Sequence, residues 1–292
     1  MSLDLSRASA PGEAAAAAAA ARAAGLTISE VEDIGTLSSA ARLMDVVWSN
    51  SDDAPLISPS ILKALAHSGG YVAVAFAEQE IVGALIGFPG WLNGGIQLHS
   101  HILGVSPEQQ GRNIGFALKQ HQRAWALERD IGAITWTFDP LVRRNAYFNL
   151  TKLGATITAY YENFYGEMTD AINAGDESDR VLVEWNLSSP SVADRSERHG
   201  DEPDIDALRA GGAAFVLSAV DDGSPSPGAA AGADVLLVQV PGDIVRLRER
   251  APSSARAWRH ALRGVLGPTL AGGYAASGMS RSGWYVLEKG LG

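Results

Sequence analysis

A chain of 292 residues is long enough for one large domain or two small ones. Hydrophobic residues at 46% and charged residues at 19% are ordinary for a globular protein, and a net charge of −10 argues against nucleic acid as a partner, because phosphate backbones require a basic footprint. The absence of cysteine excludes disulfides, thiolate nucleophiles and cysteine-type zinc sites, and it fits the reducing cytoplasm, which is the expected compartment.

The chain begins MSLDLSRASAPGEAAAAAAAARAAG. Asp4 and Glu13 precede or open the alanine run and no basic segment leads into a leucine-rich core, which argues against a secretory signal. Residues 1–24 read as a low-complexity tail or frayed helix, with a docking helix for a partner as the sharper alternative. No run approaches the roughly 20 apolar residues of a membrane span, so no membrane role is expected. LTISEVED reads as a strand, LSSAARLMDVVWS as a helix, and SPSILKALAHSG as a second helix with Ser58 capping it ahead of Pro59. YVAVAFAEQEIVGALIGFPG is a hairpin and GIQLHSHILGV another strand.

A helix follows from Asn113 to about Arg129, with Ile114, Ala117, Leu118, His121, Ala124 and Trp125 on one stripe and Lys119, Gln120, Gln122 and Arg123 around it. GAITWTF is a strand, VRRNAYFNLTKLG a helix ended by Gly154, and ATITAYYENFYG and RVLVEWNL two more strands. That order makes residues 25–188 one mixed α/β core. Breaker-rich residues 189–212 read as a linker, and residues 213–292 as a smaller α+β extension packed on the core. In the helix SSARAWRHALRGVL of the extension, Arg256, Arg259, His260 and Arg263 oppose Trp258, Ala261, Leu262 and Val265 and read as a solvated face.

The segment VSPEQQGRNIGFALKQHQ carries the chemistry. A strand, a glycine-containing turn and a helix N-terminus together make an anion site, because first-turn N–H groups lack intrahelical acceptors and lie at the positive end of the helix dipole. It is not a P-loop, which needs G-x-x-x-x-G-K-S/T, and it follows a hairpin and a fourth strand rather than the first strand of a dinucleotide-binding unit. No G-x-S-x-G nucleophile elbow is present. Val105-Ser106-Pro107 followed by Gln110-Gly111-Arg112-Asn113-Ile114-Gly115 resembles the acyl-CoA motif of the GNAT (GCN5-related N-acetyltransferase) superfamily, Gln/Arg-x-x-Gly-x-Gly/Ala. The element order from 26 to 187 is similar to that fold, a mixed, mostly antiparallel sheet flanked by helices. Asn113 stands where the motif has its first glycine, and asparagine tolerates left-handed backbone better than most residues. The longer texture, SHILGVSPEQQGRNIG, WTFDPLVRRNAYFNLTKLGA, NFYGEM and DRVLVEW, resembles a predicted-acyltransferase subgroup with a C-terminal extension, linked to N-acyl amino acid metabolism.

The resemblance implies an acyl-CoA-dependent N-acyltransferase, with acetyl-CoA or another acyl-CoA such as succinyl-CoA as cosubstrate, a small amine or amino acid as acceptor, and no metal. It leaves a homodimer open. Pyrophosphate would sit on the N–H groups of Gly111, Arg112, Asn113, Ile114, Gly115 and Phe116, beside Gln110. Pantetheine would lie along Leu103, Gly104 and Val105 as an added strand, with a backbone N–H of Leu103 or Gly104 facing the oxyanion. Asn145 and Asn149 would reach pantetheine or acceptor; Asn149 reads equally as a solvated helix residue. His101 is the candidate base or acceptor contact, with His99 on the same strand face further from the thioester, and packing histidines as the plainer account. The thiolate-protonating tyrosine of the family falls on Leu150 here. Tyr147, three residues earlier, is its candidate substitute or a packing residue. Asp139 would bind the acceptor ammonium or cap the turn before Pro140, and Arg143 and Arg144 would read a carboxylate or start a solvated helix. The other readings are an acyl-CoA-binding sensor, suggested by Asn113 and Leu150, and a non-enzymatic interaction module.

Overall fold

The computed structural model describes residues 11–48, 55–92, 94–166, 176–197, 200–230 and 232–290. Two compact units partition the chain: Met1–Thr135 with Asn186–Ser188, and Trp136–Trp185 with Ser189–Gly292. The architecture is mixed α/β with mostly antiparallel strands flanked by helices.

The first unit holds α1 (Pro11–Ala23), β1 (Thr27–Glu30), α2 (Ile34–Val47), α3 (Pro59–His67), β2 (Tyr71–Ala77), β3 (Glu80–Leu92), β4 (Gly95–Val105), α4 (Ile114–Leu127) and the first residues of β5 (Ala133–Phe138). Its strands lie in the order β1-β2-β3-β4-β5, antiparallel except for the parallel pair β4–β5. Helices cover both faces, which is why β2 reads as a continuous apolar run rather than an alternating one. On one face Val72, Val74, Ala84 and Ile86 pack with Leu37, Met44 and Leu62 from α2 and α3. On the other, Tyr71 meets Trp125 of α4 edge-on at 5.2 Å. Ser58 caps α3 by accepting from the Ser60 N–H, with Pro59 at the first helical position.

Glycines set how closely α4 approaches the sheet. A Cβ at Gly83 would stand 3.0 Å from Ile114 Cγ2 and from Leu118 Cδ1, and one at Gly87 would stand 3.1 Å from Gln122 Nε2.

The alanine-rich segment is more ordered than a frayed tail. Residues 1–10 lie outside the described residues, but Pro11–Ala23 is helical and packs on α4, with Ala17 buried and Glu13 4.0 Å from Arg123. Alanine has the highest helix propensity and its small side chain permits close packing, so a run of it suits a covering helix. Lys119, Gln120, Gln122 and Arg123, expected around the apolar stripe of α4, are all buried: Arg123 faces Glu13 of α1, whereas Lys119 and Gln122 lie against the sheet at Ser100 and Gly87.

The second unit holds the rest of β5, then α5 (Arg143–Ala146), β6 (Thr156–Tyr161), β7 (Arg180–Asn186), α6 (Pro190–Glu197), α7 (Ile205–Ala210), β8 (Ala214–Ala219), β9 (Pro225–Pro227), β10 (Val235–Gln239), α8 (Ile244–Arg250), α9 (Pro252–Ala271), β11 (Tyr274–Met279) and β12 (Trp284–Lys289). The order β7-β6-β11-β12-β10-β8-β9 joins β6 to the C-terminal strands through Ile157 and Ala276. The segment 189–212, read as a linker, contains α6 and α7, the latter capped by Asp204 accepting from the Ala207 N–H. Its Arg195 donates to the Leu150 carbonyl, which gives a polar, breaker-rich sequence a fixed place.

Deleting residues 1–24 uncovers α4 and removes Glu13 from Arg123. The expected loss is about 1–3 kcal/mol, a few degrees in Tm for a unit of this size, with the secondary structure retained. Calorimetric melting of the truncated and full chains measures it; equal Tm values would mean that α1 contributes nothing.

Candidate active site

β4 leads through Ser106, whose N–H donates to the Val82 carbonyl at 2.9 Å, into a 3-10 turn at Pro107–Gln109 and then to α4. Two residues of the turn have left-handed backbone, Gly111 at φ +85° and Asn113 at φ +59°. Asparagine is one of the few side chains that adopt this conformation readily, so the missing motif glycine leaves the turn intact. Asn113 is the N-cap; its carbonyl accepts from the Ala117 N–H at 3.0 Å, and its own side chain makes no capping bond. Arg112 donates to Gln109 Oε1 at 2.6 Å on the exposed side. A 14-residue helix therefore begins here with Ile114 buried beside Gly83 and Gly111, Arg112 and Asn113 exposed at its positive end.

Upstream, β4 carries a bulge. Gly87 pairs with Ser100 and Ile86 with Ile102, so His101 is the inserted residue. The ladder to β5 consists of Leu98↔Ile134 and His99↔Thr135. Among the described residues of this unit, Ser100–Val105 therefore pair on the β3 side alone, with Leu103 opposite Leu85, Gly104 opposite Ala84 and Val105 opposite Gly83. Such a one-sided strand can accept an extended amide-bearing chain. Gly104 is held from the other face by α2: a Cβ there would stand 2.7 Å from Met44 Sδ.

His99 and His101 lie with ring centroids 6.0 Å apart, both tilted against Phe88 at 5.1 and 5.8 Å. His101 keeps an exposed edge, yet the crowding removes enough water to lower its pKa. Loss of water, then the neighbouring His101 and Lys119, lower that of His99 to about 4. Both imidazoles are therefore neutral at neutral pH and able to accept a proton.

The remaining expected residues lie in the second unit. Asp139 is not the open carboxylate expected at a cleft edge. It is buried, with Arg259 donating to both of its oxygens at 2.8 and 2.9 Å and Arg248 to Oδ2 at 2.5 Å; Oδ1 also accepts from the Leu141 N–H at 3.0 Å. Burial by itself would raise its pKa, but hydrogen bonds and charge from Arg259, then Arg248, overcome that and hold it well below the ordinary carboxylate range. Asp176 completes the cluster, accepting from Arg248 and Arg259 at 2.9 Å each. The solvated face expected on α9 is thus corrected at Arg259, which is fully buried, and at Arg263, which pairs with Asp179 at 2.7 Å; Arg256 and His260 are exposed. Arg248 and Asp176, missed in the sequence, sit in segments that carry no motif.

Beyond α5, Tyr147–Lys152 is a π-helical turn in which the Leu153 N–H reaches the Phe148 carbonyl at 3.0 Å. The wider turn removes the i,i+3 alignment on which Tyr147 was placed on the face of Leu150. Leu150 is fully buried, whereas Tyr147 is partly exposed with the Arg281 guanidinium 5.2 Å from its ring centroid. Asn149 is buried and Asn145 exposed, so Asn149 is not a solvated helix residue. Arg143 is partly exposed and Arg144 exposed. Among the described residues no His, Asp or Glu group could hold a metal ion, and no helix is long and apolar enough to cross a membrane.

The model of the acetyltransferase (GNAT) family matches residues 39–154. These residues are a GNAT acetyltransferase domain. The matched span runs from α2 through the turn at Gly111 and Asn113 to Gly154. No curated protein matches the chain. Among solved structures, the chain is similar to a GNAT-family acetyltransferase from Streptococcus pneumoniae (14% identity, TM-score 0.45, covering 55% of this chain and 98% of that one). It is also similar to the ribosomal-protein-S18-alanine N-acetyltransferase from Escherichia coli (16%, 0.43, 56% and 95%) and to Arabidopsis thaliana Naa50 in complex with a bisubstrate analogue (18%, 0.41, 55% and 97%).

Replacing Arg259 with alanine leaves Asp139 and Asp176 buried with one cation fewer. Breaking a buried pair in this way costs about 3–5 kcal/mol, measurable by urea unfolding. The pH dependence follows from the lowered pKa of Asp139: its contribution is full above the unfolded value of about 3.9 and is lost as pH falls through the lower folded value. Asp139→Asn therefore flattens the stability curve below about pH 4; an unaltered acid limb in that variant would show that the cluster does not govern acid unfolding.

Proposed function

We propose that the chain is an acyl-CoA-dependent N-acyltransferase, with an acetyl or succinyl donor and a small amine or amino acid as acceptor. The observation that carries this is the left-handed turn at Gly111 and Asn113, which joins a strand paired on one side to the N-terminus of a 14-residue helix within a GNAT domain. Pyrophosphate binds the N–H groups of that turn beside Gln110 and Arg112, and pantetheine pairs with β4 at Leu103–Val105. The acceptor amine attacks the thioester carbonyl, forming the C–N bond. The oxyanion is met by a backbone N–H of Leu103 or Gly104, and collapse breaks the C–S bond and releases the CoA thiolate. His101, neutral and at the bulge, takes the proton lost by the amine.

A second reading has one observation behind it: Leu150, fully buried, stands where the resemblance puts a thiolate-protonating tyrosine. A protein that binds acyl-CoA without turning it over would follow. Free-thiol release from a panel of acyl-CoAs, with and without amino acids, separates the two: amine-dependent release supports transfer, and binding without release supports the sensor. Gly115→Trp abolishes CoA binding in calorimetry while the fold persists; unchanged affinity would remove the turn from the site.

Loss of a positioned base costs about 10²–10⁴ in rate, so His101→Ala lowers turnover by that order with CoA affinity retained. Because the His101 pKa is lowered, the acidic limb of the wild-type profile lies below the ordinary imidazole value of about 6.5, and it disappears in the variant. Normal turnover with an unaltered profile would leave His101 as packing.

A further inference from the structure

Lys119 lies beneath β4 on the face opposite the histidine pair. Its side chain is buried, and Nζ donates to Ser100 Oγ at 2.8 Å and to Gln122 Oε1 at 3.4 Å. Ser100, also buried, is the residue between His99 and His101, and its pairing with Gly87 is the last before the bulge. A bulged residue has no ladder partner of its own, so its place depends on how firmly the neighbouring pairs are held. Burying an amine is costly next to an apolar side chain of similar length, and methionine or leucine would fill this space without that cost. The lysine provides what they would not, a bond from the helix to the strand at the one residue that separates the two imidazoles.

Because α4 is a rigid element, that bond links both ends of the chemistry. Its first turn is the proposed phosphate seat, and Lys119 lies five residues after Ile114 on the same helix. We propose that Lys119 is a positioning residue: through Ser100 it ties α4 to β4 and sets where His101 stands relative to an acyl-CoA seated on the N-terminus of α4. The inference rests on the acyltransferase reading for its rate effect and on geometry alone for the tie. The groups facing the two imidazoles are each other along β4, Phe88 from β3 and Lys119 from beneath; α2, the other helix against this strand, presents Met44 and Trp48 at Gly104. The amine itself is pushed well below its ordinary pKa by burial, and its charge is one of the causes that lower the pKa of His99.

The test uses the full chain with S100A, S100T and K119M, read by NMR titration of His99 and His101, by CoA calorimetry and by steady-state rates. S100A removes one atom and cuts the tie. It is expected to lower kcat about tenfold to a hundredfold, the cost of a misplaced group, while CoA affinity stays at the wild-type value. S100T keeps the hydroxyl and restores the rate. K119M removes the charge as well, so the His99 midpoint rises from its acidic value. Wild-type kcat in S100A overturns the proposal, whatever the His99 midpoint does in K119M. Should the wild type transfer no acyl group, the acyltransferase reading fails alone. The titrations then decide the tie, and His99 and His101 resonances unchanged in both S100A and K119M overturn it. S100A, the minimal change, keeps the proposal exposed to refutation even where K119M does not fold.

Discussion

The closeness of α4 to the sheet is the constraint on which the first unit depends. Two glycines on β3, Gly83 and Gly87, leave no side chain between strand and helix, and Ile114, Leu118 and Gln122 occupy the space. That approach fixes the rotation of the helix about its axis. It buries Ile114 just inside the N-terminus and so turns the exposed residues of the preceding loop, Gly111 to Asn113, outward at the positive pole. The same approach brings Lys119 to Ser100, a contact that a bulkier strand residue would hold apart. Anion binding and strand geometry are thus two results of one packing distance.

The second unit depends on charge rather than on small residues. Asp139, Asp176, Arg248 and Arg259 are nearly or fully buried, two acids against two bases. Each alone would be excluded from the interior by the loss of its hydration, and the four are tolerated because nearly every oxygen has a guanidinium on it. Asp139 follows β5 directly, inside the span matched by the acetyltransferase domain, whereas Arg248 and Arg259 belong to α8 and α9, more than ninety residues beyond its end at residue 154. The carboxylate within the domain therefore requires the C-terminal helices for its own solvation, which makes the extension a part of the domain's electrostatics.

What the sequence disclosed followed local rules. Apolar, β-rich runs gave β2 and β3, alternation gave β4, the cap at Ser58 and Pro59 gave α3, and the left-handed tolerance of Asn113 kept the turn readable through a substituted glycine. What it concealed came from long-range partners. A run of alanine carries too little apolar contrast to reveal that it covers a helix, and until that cover is known, Arg123 looks solvated; Lys119 looks so because its partner, Ser100, lies on a strand well before it in the chain. Arg259 looked like part of a solvated polar face because its partners are distant in the chain. The π turn was hidden for another reason: its sequence is compatible with an ordinary helix, and the extra residue appears only in which carbonyl each N–H chooses.

The bulge at His101 gives β4 two parities. Before it, the even-numbered Leu98 and Ser100 lie on the α4 side, as the contacts at Gly87 and Lys119 record. After it, Ile102 packs with the α2–α3 core and Gly104 against Met44. Deleting the inserted residue would join Ser100 directly to Ile102, which already face opposite sides, so a regular ladder would keep Ser100 towards α4 and Ile102 and Gly104 towards α2. Losing the bulge at unchanged length is what would turn the strand over, placing Ile102 above the lysine and Leu103 against Met44. The inserted residue can therefore change or be lost in the course of descent, whereas the pairing of Ile102 to Val105 with β3 is held by both faces of the sheet.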